Sequence, residues 1–109
     1  MKQFYTVVLD RFKELSGTFE TEPYEAGWAD EAIFFVRIHE LDPKTTINAR
    51  VQISYDGIVW VDEGTTFEPI QTKGDHFVRV THFGGWLRIA LDAGKSSSYK
   101  ATLSLVLKG

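Results

Sequence analysis

Cysteine is absent from all 109 residues, which excludes a disulfide framework, a thiolate nucleophile and a thiolate-ligated metal. Histidine is scarce. His76 and His82 stand six residues apart on one strand-like segment, so they point the same way but lie roughly 20 Å apart. His39 has Glu40 beside it on the opposite face, and no HxH or HxxxH spacing occurs. The pattern offers no metal site. The motifs of a serine nucleophile elbow and of a phosphate cradle are also missing. Ser96 to Ser98 sits in a polar loop, and Gly84-Gly85 reads as a turn.

Long apolar runs are missing too. The N-terminal stretch Phe4 to Leu9 is interrupted by Asp10 and Arg11, too soon for a signal-peptide core and far too soon for a membrane span. The expectation is a chain without a signal peptide, cytoplasmic or virion-associated and not embedded in a membrane. No excess of positive charge exists either. A net charge of −3 and a pI near 5.5 argue against nucleic acid or an anionic membrane as partner. No segment shows a 3.6-residue apolar period, so helices are not expected.

What remains is a protein of strands. Hydrophobic residues make up 43% and charged residues 25%, ordinary values for one globular domain spanning residues 1–109. The clearest pattern is Val51 to Gly64. Val51, Ile53 and Tyr55 alternate with Gln52 and Ser54, and Asp56-Gly57 follows, the strongest short hairpin signal. A type I′ turn there places Tyr55 opposite Ile58 and Ile53 opposite Trp60, which puts Trp60 in the core. Phe4 to Phe12, Gly17 to Thr21, Ala32 to Glu40, His76 to Thr81, Trp86 to Asp92 and Tyr99 to Leu107 supply further strands. Ala32 to Glu40 is apolar on both faces at its start, as in a strand covered on two sides. Residues 22–31 have no period and read as a loop of about ten residues. About eight strands at short spacing predict an all-β, two-sheet antiparallel sandwich of jelly-roll type.

The acidic residues give no calcium loop. Asp56 is accounted for by the turn and Asp62-Glu63 by the hairpin end, and the spacing of a calcium-binding loop is absent. Glu20, Glu22, Glu25, Asp30 and Glu31 are the better candidate for a cation because they surround the 22–31 loop, and beside that stands the commoner reading of a solvated acidic face. No pair of carboxylates is singled out for catalysis. The chain is therefore expected not to be an enzyme and to need no cofactor.

Aromatic residues are the remaining lead, at 14% of the chain. Trp86 falls on the face opposite Leu87, Ile89 and Leu91, and Tyr24 and Trp28 lie in the loop. With Phe83 they form a candidate surface for a protein partner or a stacked sugar, since Tyr and Trp combine apolar area with a polar group.

Ser54-Tyr-Asp-Gly-Ile-Val-Trp60, followed by Gly85-Trp-Leu-Arg-Ile-Ala-Leu91 and a final alternating strand, resembles the small β-sandwich proteins of phage and prophage structural genes. The same hairpin is similar to the Ser-x-Asp-Gly-x-x-Trp signature of discoidin-like sandwiches. The phage resemblance implies a non-enzymatic structural protein, homo-oligomeric, decorating or completing a larger particle; the aromatic residues Tyr24, Trp28, Phe83 and Trp86 are the expected interface of such a protein. The alternative is a carbohydrate-binding module using the same aromatics.

Overall fold

The computed structural model describes residues 3–95 and 97–109, so Met1, Lys2 and Ser96 of the polar loop lie outside it. Among the described residues there are nine strands and no helix: β1 (Phe4–Ser16), β2 (Thr18–Glu20), β3 (Tyr24–Glu25), β4 (Glu31–Leu41), β5 (Asn48–Ser54), β6 (Val61–Thr66), β7 (Gly74–Thr81), β8 (Trp86–Asp92) and β9 (Ser98–Lys108). They form two antiparallel sheets. One has the order β1-β9-β4-β7; the other has the order β2-β8-β5-β6, with β3 also paired to β8.

The pairings are nested. β1 pairs with β9, β2 and β3 with β8, β4 with β7, and β5 with β6. The chain is thus one long double-stranded ribbon with the β5–β6 loop at its tip. Rolling that ribbon into two layers brings β9 beside β4 and β8 beside β5. This is the jelly roll expected from the strand pattern.

Period-2 alternation places the core. Tyr99, Ala101, Leu103, Leu105 and Leu107 of β9 and Ala32, Phe34, Val36 and Ile38 of β4 are buried from one sheet. Val51 of β5 and Leu87, Ile89 and Leu91 of β8 meet them from the other. Lys100, Thr102, Ser104 and Val106 fall on the outer face of β9 and are only partly covered.

Several expectations need correction. The Asp56-Gly57 pair does not form a two-residue turn, because β5 ends at Ser54 and Ile53 pairs with Val61 rather than Trp60. A loop of six residues, 55–60, joins the strands. Trp60 is therefore not core. It lies half-buried on the outer face, beneath the Arg88 guanidinium at 4.3 Å from the ring centroid. Arg88 Nε donates to Gln52 Oε1 at 2.7 Å, and Gln52 and Arg50 both donate to Asp62 Oδ1. Trp60 thus joins the polar network of Arg50, Gln52, Asp62 and Arg88 on the outer face instead of the core expected for it.

The 22–31 loop contains β3. Thr21 makes this re-entry possible: its N–H donates to the Ile89 carbonyl, and its Oγ1 accepts from the Ile89 N–H, both at 3.0 Å. Pro23, which has no N–H, interrupts the edge before Tyr24 pairs with Leu87. β4 is not covered on two sides. Its Ile33 and Phe35 face outward and remain partly exposed.

Tyr99 has its hydroxyl buried without a hydrogen bond. Burial, with Asp92 nearby, pushes its pKa up to about 12. The unfolded chain releases that proton near pH 10, so the tyrosine's contribution is intact below about pH 10 and fades as pH rises to about 12.

Two outcomes follow for stability. Phe34→Ala should cost about 3–5 kcal/mol by urea denaturation, whereas Trp60→Ala should cost about 1 kcal/mol, because only a cation–π contact and partial burial are lost. In a pH titration of stability, the native chain should lose up to roughly 3 kcal/mol through the alkaline step, and Tyr99→Phe should remove most of that step.

Candidate interaction surface

The register places three loops at one end of the sandwich. Glu31 pairs with Thr81 and Lys108, Ser54 and Glu25 both pair with Trp86, and Phe4 pairs with Lys108. The 26–30, 55–60 and 82–85 loops therefore gather there with the start of β1 and the end of β9.

The 55–60 loop is tied by its own side chains. Ser54 Oγ accepts from Gly57 N–H at 2.8 Å and from Asp56 N–H at 3.2 Å. Asp56 Oδ1 accepts from Ile58 and Val59 N–H at 2.9 and 3.0 Å. These N–H groups hold the Asp56 carboxyl below the usual carboxylate range. With its polar groups satisfied inward, the loop turns Tyr55 and Ile58 outward, 82% and 80% exposed. Gly57, at φ +81°, lies flat on the Trp86 indole; a Cβ there would come within 3.3 Å of the ring.

The 26–30 loop is anchored by Ala26 N–H to the Gly85 carbonyl at 2.7 Å and by Asp30 N–H to the Lys108 carbonyl at 2.8 Å. Between these ties Trp28 stands out, 46% exposed. Gln3, Phe4, Tyr5, Tyr24 and Trp28 line a shallow depression. Burial, helped by neighbouring Tyr5 and Glu25, raises the Tyr24 phenol pKa. A second depression runs from Tyr55, Val59 and Val61 to His82 and Gly84.

The four aromatic candidates are thus divided. Tyr24 and Trp28 share one depression. Trp86 does point outward, as alternation requires, yet the Gly57 turn covers it. Phe83 is only 3% exposed, so it supports the surface from the core instead of presenting itself. Tyr55, Ile58, Val59 and Val61 were missed, as were the exposed Phe4 and Tyr5. The Ser54-x-Asp56-Gly57 spacing carried a signal for them, since Ser and Asp side chains that bond the following N–H groups start a loop at Ser54.

Elsewhere the chemistry is sparse. Among the described residues no three His, Asp or Glu side chains come together as a metal-holding group. Among the same residues no helix is long and apolar enough to cross a membrane.

No protein-family model matches the chain, and no curated protein matches it. Solved structures do. The SPBc2 prophage-derived protein YomS superposes with a TM-score of 0.67 at 6% identity, over 100% of this chain and 96% of YomS. The PBSX exported protein XepA gives 0.63 at 8% identity, over 98% of this chain and 36% of XepA. A chain of infectious bursal disease virus, Gx strain, gives 0.60 at 12% identity, over 98% of this chain and 32% of the viral one. This chain thus spans nearly all of YomS but about a third of the other two. The likeness is one of fold: an all-β sandwich of the kind found in prophage-derived and viral proteins.

Gly57→Ala should destabilise the protein by about 1–2 kcal/mol, because a non-glycine residue is strained at this φ and its methyl crowds Trp86. A shift in tryptophan emission should accompany the loss in urea titrations. Unchanged stability and emission would contradict the contact between the loop and the indole.

Proposed function

We propose that this chain is a non-enzymatic assembly protein, a homo-oligomeric jelly roll that decorates or completes a larger, virion-like particle. One observation carries the reading. Phe4, Tyr5, Trp28, Tyr55 and Ile58 are all exposed, and all belong to the loops and chain ends at one end of the sandwich. Large apolar side chains gathered in this way mark a protein interaction site. Aromatics at the centre of such a patch carry a disproportionate share of binding energy. The shared fold with prophage-derived and viral proteins supports the same reading.

In this reading Trp28, Tyr55 and Ile58 anchor the partner and Tyr24 lines the adjoining depression. Trp86 and Phe83 act from beneath, by holding the 55–60 and 82–85 loops. A glycan-binding role for the Trp28–Tyr24 depression is the competing reading, and it draws on the exposed indole beside the Tyr5 and Tyr24 hydroxyls.

Sedimentation over a hundredfold concentration range should find an oligomer that survives dilution. The double variant Tyr55→Ser/Ile58→Asp should lower its mass without lowering the urea midpoint, since both side chains are already in water. Unchanged assembly in that variant would remove the end surface from the interface. A strict monomer that shows saturable quenching of tryptophan fluorescence by an oligosaccharide, lost in Trp28→Ala, would replace assembly with sugar binding.

A further inference from the structure

An open sheet edge invites pairing with another chain, and β proteins usually blunt it. Among the described residues the two sheets have four edges, and three are interrupted along their length. The β2–β3 edge is two short pieces split at Pro23. β1 is interrupted by register shifts between Val8 and Asp10 and between Asp10 and Lys13, with Phe12 at φ +48°. β6 contains Gly64 at φ +111° opposite a register shift between Arg50 and Gln52.

β7 is not interrupted. It runs from Gly74 to Thr81 in unbroken register with β4, without proline or bulge, and its far side pairs with no strand among the described residues. Its outward side chains are also self-complementary. Asp75 and Arg79 stand two residues either side of Phe77, which is half-exposed. In antiparallel two-fold pairing centred on Phe77, Asp75 meets Arg79 of the second copy twice, and the two Phe77 rings face each other. Centring on Asp75 or on Arg79 would set like charges opposite each other, which is destabilising. Centring on Val78 would leave both charges facing uncharged residues, and centring on His76 would set Asp75 against Phe77 and bring Arg79 to Lys73, a like charge.

The local geometry is already arranged for this contact. Arg37 Nε and Nη2 hold the two Asp75 oxygens at 2.8 and 3.0 Å. A carboxylate has about four acceptor positions, so each oxygen keeps capacity for a further donor. Arg79 lies over the Phe77 ring at 5.0 Å from its centroid, and Phe77 contacts Phe35 at 5.8 Å between centroids.

We propose that two copies of this chain pair antiparallel along their β7 edges, across a two-fold axis at Phe77, and join their four-stranded sheets into one continuous sheet. The pairing deepens the assembly reading above by naming one of its contacts, and it is separate from the apolar end.

The test uses the full chain, whose lack of cysteine makes single-cysteine variants clean reporters. Phe77→Cys should form a disulfide dimer under mild oxidation, because directly opposed Cα atoms lie about 4.5–5.5 Å apart. Arg79→Cys should not, since the two copies of that position would be about 13 Å apart. Arg79→Asp and Asp75→Arg should each weaken self-association by about tenfold or more, and mixing the two should restore it, because opposite charges then meet at both positions. Equal crosslinking of Phe77→Cys and Arg79→Cys, or no restoration on mixing, overturns the pairing. If the chain stays oligomeric in that case, the assembly reading survives alone. A wild-type chain that is monomeric throughout removes both.

Discussion

Everything in this molecule depends on the burial of one face of β9. Its Tyr99, Ala101, Leu103, Leu105 and Leu107 are buried, and the strand is hydrogen-bonded to β1 on one side and β4 on the other. A slip of one residue in either ladder would send all five side chains into water and draw Lys100, Thr102 and Ser104 inside. The register of the four-stranded sheet is therefore held by its own core. That fixed sheet positions the ribbon's other half, because β8 and β5 meet the β9 and β4 side chains from the facing layer. The loops at the apolar end inherit their positions from these strands. Trp28 is held by a loop whose Ala26 and Asp30 N–H groups donate to the Gly85 and Lys108 carbonyls, and Tyr55 and Ile58 by a loop springing from β5.

Where alternation governs, sequence and structure agree. β8 and β9 alternate cleanly, and the structure buries the faces that the pattern selects. The reading fails where a side chain competes with the backbone for hydrogen bonds. Asp56-Gly57 has the composition of a two-residue turn, but Ser54 Oγ and Asp56 Oδ1 together accept four N–H groups. That satisfaction makes a wider loop stable and shifts Trp60 out of register with Ile53. Trp60 then finds Arg88, a partner contributed by a strand nearly thirty residues away. No local pattern announces such a contact. Ile33 and Phe35 fail for another reason. Apolar residues on both faces of a strand fit a covered sheet and an exposed one equally well, and only the packing of the whole chain distinguishes them.

The candidate surface was legible in proportion to how far each residue lies from regular structure. Tyr24 and Trp28 stood out because the 22–31 segment has no period to explain them. Phe83 was misplaced because a residue before Gly84-Gly85 has no alternating neighbours to set its direction. The structure turns it inward, where it supports the depression between Tyr55 and Gly84. Trp86 points outward as alternation requires, yet the Gly57 turn lies over it, and nothing in an Asp-Gly turn pair announces that its glycine will also pack on an indole. Tyr55 and Ile58 were hidden by the same hairpin assumption that buried Trp60.

The two unpartnered features occupy different parts of the molecule, and that separation has a geometric consequence. The apolar end is formed by the loops and chain ends at the tips of the strands, whereas the β7 edge runs along their length. A single isologous contact closes on itself and stops at a dimer. A second contact in a different direction lets dimers join further copies or a different subunit without competing for the same residues. Among the described residues three of the four edges are interrupted along their length, so β7 is the edge most open to strand addition. The apolar end has no backbone edge to offer and must instead use side-chain packing, which its Tyr, Trp and Ile residues supply. One continuous edge and one apolar end thus give the chain two chemically different surfaces, a backbone ladder along β7 and side-chain packing at the strand tips.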